Sequence, residues 1–468
     1  MSAGVGRLTA ADRVVDQVLE ASRSDGCVVI VEELSQAEVR FANNTVTTNG
    51  IRRDRGVSVI AFRETEGGTA VGTASSSGAT DVIDVLRRAE ANAATAQAAE
   101  DASPLITPGR STAAGDFADP PVMTSLAGLG NVVTGLGDAF KSAGAAGTRL
   151  AGYTEHQVST VYLGSSTGLR LRYVEPTGKL EVVARSDRGE RSAWAGAGAE
   201  DLATVHVEEL KQRLDRRLSW GKRKLDLEAG RYEVVLPPDA VADLMVPLGD
   251  ATSGREAEEG RSVFSAPGGT TRVGESLSSQ RFSLRSDPFA EGLECTPFLV
   301  AGASGQDVSV FDNGLALERT DWISDGRLRR LQYHRAGAKR SGVEPAAPAD
   351  NLILELPGAA STLEELVERT ERGLLLTCLW YIRDVDPETL LLTGLTRDGV
   401  YLVEHGEIVA SVNNFRFNES PVDVLSKTIE AGRTERSLSR EWNEWLNRTA
   451  MPPLRVAEFN MSSVSPAI

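Results

Sequence analysis

Between residues 152 and 198 the chain reads as four runs of alternating apolar and polar side chains: GYTEHQVSTVYLG, GLRLRYVEP, GKLEVVARSD and ERSAWAGAG. The tripeptides SST, PTG and RGE separate them as turns. A period of two sends successive side chains to opposite faces of a strand, so this stretch fits an antiparallel meander with one face buried. Whatever surrounds it must supply the layer that covers that face.

The preceding segment reads as a unit of helices and strands. Residues 9–24 predict a helix with Thr9 as cap and Val14, Val15, Val18 and Leu19 as one stripe. Five short β-like runs follow, at 27–33, 38–44, 45–50, 56–63 and 69–75, separated by glycine or charge. A second helix is expected over about 81–98, capped by Thr80. Helix, strands and helix in that order describe an α+β layer rather than a βαβ dinucleotide fold. Residues 101–121 carry prolines without periodicity and read as a linker or long surface loop. Helical stretches are expected at 124–146 and about 200–215, on either side of the meander.

A third unit begins near Gly230. YEVVLPP reads as a strand, and 239–249 as a short helix with Asp239 as candidate cap and Pro247 limiting its length. Strand-like segments dominate the remainder, among them FLVAGAS, DVSVFDNG, GLLLTCLWYI and GVYLVEHG, with a loop over 336–350 and one helix at about 421–431. The expected class is therefore α+β in three modules. These are an N-terminal α/β layer unit (1–105), a middle antiparallel β-rich unit (106–225) and a C-terminal, mostly antiparallel β unit with a few helices (226–468).

Charge narrows the partners. Fifty Lys and Arg against 66 Asp and Glu leave a net charge of −16, which disfavours a nucleic-acid or anionic-membrane surface. Cys27, Cys295 and Cys378 form no CxxC and cannot all pair, and the first residues lack the apolar core of a signal peptide. No apolar run is long enough to span a bilayer. The expectation is a cytoplasmic protein.

Self-sufficient chemistry is not legible. His156, His206, His334 and His405 lie far apart in sequence, with no HExxH or HxH pair. Neither a GxSxG elbow nor a GxxxxGK[ST] phosphate loop occurs. The acidic groups Glu256, Glu258 and Glu259, and Asp239 with Asp243, read as solvated faces rather than cation sites.

GREAEEGRSVF at 254–264 changes the reading. With VRFANNTVTTNGIRRDRGVSVIAF, VFDNGLALERTDWISDGRLRRLQY and GVYLVEHGEIVASVNNFRFNESPVDVL, it resembles the TldD/PmbA (TldD/TldE) family over nearly the whole chain. Gly254, Gly260, Ser262, Val263 and Phe264 carry the local motif. In the TldD branch a helix just before this motif bears HExxxH and holds zinc. The resemblance aligns those positions with Met245, Val246 and Asp250 here. A thioether is a poor zinc ligand and valine cannot serve as a base, so the metal motif is degenerate and no catalytic or metal residue is assigned.

The resemblance implies a PmbA/TldE-like subunit, without cofactor of its own. Its expected partner is a TldD-like subunit that carries the zinc, and together they form a channel for unfolded or leader peptides. A homodimer of the chain alone stays open as a second assembly. Two alternatives stay open: a binding or regulatory protein of gyrase-modulator type, and an autonomous hydrolase using Asp250, Glu256, His334 and His405. The segments 374–381 and 390–395, and the pair Trp442 and Trp445 on a terminal helix, are candidate contact surfaces.

Overall fold

The computed structural model describes residues 9–78, 81–109, 117–186 and 189–465. The expected α+β class is the observed one, with mostly antiparallel sheets.

The first sheet has six strands: β1 (Gly26–Ala42), β2 (Thr45–Thr65), β3 (Gly68–Ser77), β4 (Thr148–Ser165), β5 (Arg170–Ser186) and β6 (Ser192–Ala199). Their order is β3-β2-β1-β4-β5-β6, all antiparallel. The N-terminal and middle segments thus share one sheet, joined where β1 pairs β4 from Val28↔Ser165 to Phe41↔Gly152.

Strands are fewer and longer than the sequence suggested. Gly50 and Gly56, read as breaks, lie within β2 in pairing register with Glu38 and Glu32. The PTG tripeptide is no turn either: Pro176 sits inside β5 opposite Val158. Proline lacks the N–H of a ladder, and β6 pairs only with residues 178–185 of β5, so Pro176 lies where that side of the strand is an edge.

Four helices cover one face: α1 (Ala11–Ala21), α2 (Val82–Thr95), α3 (Gly130–Ala145) and α4 (Val207–Trp220). Val14, Val15 and Val18 of α1 and Val85, Leu86 and Ala89 of α2 meet Val29, Val31, Val57 and Val59. Leu129, Val132 and Leu136, with Leu210 and Leu214 of α4, meet Val39, Phe41, Leu180 and Val182. Ala10 precedes α1 without a side-chain cap, so Thr9 is not its cap. Asp81 caps α2 through the Ile83 N–H, and Thr80 lies outside the described residues.

The opposite face binds the C-terminal part. Val28, Ile30, Phe62 and Leu163 pack on Phe298, Val310 and Phe311, and the Phe62 and Phe311 rings stand 4.9 Å apart. The described ends of the expected linker are tied down: Leu105 and Ile106 join this cluster, and Tyr162 and Arg172 donate to the carbonyls of Asp119 and Pro120.

The C-terminal part holds the strands β7 (Lys224–Leu225) and β8 (Gly230–Leu236) and the helices α5 (Pro238–Asp250), α6 (Gly254–Glu258), α7 (Arg335–Ser341), α8 (Leu363–Glu368) and α9 (Pro421–Ser426). Its main sheet runs Leu379–Asp386, Leu391–Thr396, Asn414–Glu419, Leu454–Ser465, β8, Arg372–Leu376, Val400–Glu404, Glu407–Val412, β7. A further six-stranded sheet packs nearby, and α5 lies in the core shared by both. FLVAGAS and DVSVFDNG are not strands. Asn313 bonds both the N–H and the carbonyl of Ala301, and Ser309 caps a single turn at Val310–Asp312, so side chains satisfy this backbone instead. The expected loop at 336–350 contains α7, which His334 caps.

Candidate functional site

Pro237-Pro238 opens α5, where a missing N–H costs nothing because the first helical donors have no intrahelical partner. Its residues are almost all apolar, and Asp239–Val246 and Leu248 are buried. Such a helix belongs in a core. Pro247 does not end it. Proline cannot donate to the carbonyl four residues back, and that carbonyl, of Asp243, accepts the Trp442 indole N–H at 2.9 Å instead.

Met245 is fully buried and Val246 is 3% exposed, both in the main core cluster. Asp250, at the C-terminal end, is exposed. The three positions that the resemblance set against a zinc motif thus divide into two core side chains and one surface carboxylate.

The motif that follows α5 is a locking device. Ser253 caps α6 through the Glu256 N–H and donates to Asp307 at 2.9 Å. A Cβ on Gly254 would lie 2.1 Å from the Tyr333 ring, so only glycine fits there. Gly260 takes φ 78°, the left-handed conformation glycine adopts at no steric cost. Ser262 Oγ donates to the carbonyl of Ala251, just past α5, and accepts from the Phe264 N–H. Phe264 is fully buried and Val263 nearly so.

A groove of about 670 Å³ runs beside the C-terminal end of α5. Pro247, Asp250 and Ala251 form one wall with Glu256, Arg261 and Ser262; Ile382, Arg383 and Asp384 face it with Glu441, Trp442 and Trp445. Leu379–Asp386, which supplies part of that wall, is the terminal strand of its sheet.

The segment 438–445 shapes the groove. It is held on α5 by two carboxylates that the sequence suggested were solvated. Asp239 accepts the Leu438 N–H at 3.0 Å, and Asp243 accepts the Ser439 hydroxyl at 2.6 Å and the Glu441 N–H at 2.9 Å. Both are buried because α5 is surrounded on all sides. Burial pushes the Asp243 carboxyl up to about 8 and raises that of Asp239. Glu441 reaches outward to the N–H groups of Tyr381 and Ile382 and to Arg383. Trp442 is half-buried, whereas Trp445 is 79% exposed, with the two rings 5.9 Å apart. They lie on consecutive turns, not on a helix.

Other candidate residues separate. Asp250 and Glu256 share the groove, but His334 Nδ1 accepts the Gly337 N–H at the start of α7. His405 occupies an exposed hairpin turn with Nδ1 2.6 Å from Glu371. Cys378 is buried, as are Cys27 and Cys295. Burial pushes its thiol up to about 12 although Arg440 donates to its sulfur at 2.7 Å. Arg440 also pairs with Asp398 at 2.8 Å. The apolar segments 374–381 and 390–395 are largely sheet strands, with Leu374, Leu376, Leu379 and Leu392 in the core. Glu441 and Arg440 were missed, and no motif in the sequence flags them.

Among the described residues no group of three or more His, Cys, Asp or Glu side chains could hold a metal ion. The donor set at α5, a core thioether, a valine and one exposed carboxylate, does not fit zinc.

Two sheets pack about a buried helix, with a tight turn after it and a groove at its end. The model of the PmbA/TldA metallopeptidase C-terminal domain matches residues 229–463, and that of PmbA/TldA metallopeptidase domain 1 matches residues 27–93. The chain belongs to the PmbA/TldD family. Its fold is similar to that of TldE from Thermococcus kodakarensis, with a TM-score of 0.77 and 17% identity over 97% of this chain and 99% of that one. A protein from Thermotoga maritima described as a modulator of a DNA gyrase gives 0.75 and 18% over 96% and 99%. One from Bacteroides thetaiotaomicron, described likewise, gives 0.74 and 16% over 97% and 98%. No curated protein matches the chain.

Proposed function

We propose that this chain is the non-zinc subunit of a two-subunit metallopeptidase and helps form the channel that receives unfolded peptide. One observation supports the reading: α5, which the resemblance sets against the zinc helix, is buried in the core and carries Met245, Val246 and Asp250 where that resemblance puts the metal motif. The similarity to a structure named TldE supports the same assignment.

The groove suits an extended chain. The terminal strand Leu379–Asp386 borders it; beyond Tyr381 and Ile382, whose N–H groups Glu441 takes, a strand edge binds peptide backbone with little regard for side chains. Trp445 adds exposed apolar surface to the groove, and Tyr381 and Val385 are exposed on the bordering strand. A folded substrate offers no free strand for such an edge, so unfolded peptides are selected.

The test is reconstitution with a TldD-like chain bearing HExxxH. The expected result is a stable complex that cleaves unfolded peptide, one zinc per heterodimer, and no turnover by this chain alone. One equivalent of zinc held by the isolated chain, together with hydrolysis, overturns the reading. Repeated co-purification with gyrase and never with a TldD-like chain favours the modulator reading, for which the descriptions of two similar structures speak.

A further inference from the structure

A second cavity, of about 650 Å³, opens at the other end of α5. Thirteen residues separate its mouth from the groove, a helix length of about 20 Å. Arg213, Arg216 and Arg217 of α4 line one part of it, and Arg433 and Arg436 another. Trp220, Leu363, Val367 and Ile408 supply apolar wall.

Arg217 is the unusual member. It is 4% exposed, and among the described residues no carboxylate lies within ion-pair distance of it. Its hydrogen bond goes to the carbonyl of Trp194, and its side chain lines the cavity, where the remaining guanidinium donors can meet a ligand. Burial and the neighbouring Arg213 lower its proton affinity, to about 10, so it stays charged at neutral pH. Behind it, Tyr401 is 1% exposed, feels the charge of Arg217, and its hydroxyl has no hydrogen-bond partner. The Trp220 ring stands edge-on to the Tyr401 ring at 5.1 Å. Asp239 is the carboxylate that acts on this cation, from beyond ion-pair distance, so the charge is incompletely balanced, and a bidentate oxyanion matches the guanidinium fork.

The remaining charges refine the ligand. Arg433 is paired with Glu435, and Arg213 faces Asp239 at 4.0 Å. The start of α5 points its positive dipole end at the same space, and no side chain caps it. Glu364 and Glu368 of α8 line the cavity as well. Their charge discourages polyanions and leaves room for one small anionic head on an apolar body.

We infer that this cavity binds the carboxylate of an apolar amino acid or short-peptide C-terminus, with Arg217 and Arg213 holding the carboxylate and Trp220, Leu363 and Ile408 the side chain. The site is separate from the groove and does not depend on the subunit assignment.

Calorimetric titration of the full chain with N-acetyl-L-leucine, N-acetyl-L-leucinamide and phenyl phosphate tests it. The acid binds, and the neutral amide binds about tenfold or more weaker, because it cannot neutralise Arg217. Arg217→Met removes binding of the acid. Since that variant alters a buried position, Arg213→Gln at the half-exposed wall and Ile408→Trp filling the cavity provide independent checks, each weakening the acid about tenfold. Equal binding of acid and amide, binding unchanged in Arg213→Gln and Ile408→Trp, tighter binding of phenyl phosphate, or no binding of the acid at millimolar concentration overturns the inference.

Discussion

Glu441 holds Tyr381 in a left-handed backbone conformation: its Oε2 accepts the Tyr381 N–H at 2.8 Å, and Tyr381 sits at φ 53°. The other oxygen takes the next N–H, of Ile382, at 3.2 Å. Two successive donors thus converge on one carboxylate, and the pairing register of this strand shifts between Trp380 and Arg383. Glu441→Ala leaves both donors without their acceptor and frees Arg383. The expected loss is about 1–3 kcal/mol in urea unfolding, and Glu441→Gln, which keeps one acceptor oxygen, loses less.

Asp243 gives a pH signature. Its carboxyl is raised from about 3.8 in the unfolded chain to about 8 in the fold, chiefly by burial. The native state therefore binds more protons between these values. Stability is fully present below about pH 4 and is lost as pH rises towards 8. Asp350, raised by burial to about 6, adds to the lower part of this window. Asp243→Asn keeps an acceptor oxygen for Ser439 and Glu441 but cannot ionise. Its stability relative to the parent should rise from pH 5 to pH 8, measured by urea unfolding at each pH. A difference that stays flat across that range contradicts the assignment.

Val246 and Met245 act as packing residues. Val246→Glu buries a carboxylate in the core and should cost about 3 kcal/mol or more. Installing Met245→His, Val246→Glu and Asp250→His together should lower the unfolding temperature further. Added zinc should not restore it, because positions 245 and 246 are packed in the apolar core.

Gly254 is fixed by the ring of Tyr333. Gly254→Ala places a methyl 2.1 Å from that ring and should destabilise by about 1–3 kcal/mol. In a Tyr333→Leu background the same substitution should cost less. Equal costs in both backgrounds would show that the ring contact is not the cause.

Trp445 tests the partner surface. Trp445→Ser should change the stability of the isolated chain by no more than about 1 kcal/mol, since the ring is exposed and meets chiefly Trp442. In the reconstituted complex it should weaken association or peptide capture about tenfold. Unchanged affinity and turnover would move the contact elsewhere.

Periodicity made the sheets legible, since alternating runs such as CVVIVEE and GYTEHQVSTVYLG do form strands. It misjudged their length at Gly50, Gly56 and Pro176, because an extended backbone tolerates glycine and an edge tolerates proline. The motif 254–264 drew attention to α5, yet the groove beside that helix was invisible. Its far wall comes from residues 382–392 and 441–445, and only tertiary pairing brings them there. Asp239 and Asp243 were misread for a similar reason. Nothing local to α5 reveals that the chain returns some 200 residues later to bond their carboxylates.

The shared sheet has a consequence for synthesis on the ribosome. The β1–β2 hairpin is complete once residue 65 has emerged, but the other side of β1 waits for β4, whose pairing partners end at Ser165. At about 5–20 residues per second that flank stays naked for several seconds. Nascent chains of this protein therefore pass through an interval of exposed apolar β-ribbon, when a chaperone at the exit tunnel decides between folding and aggregation.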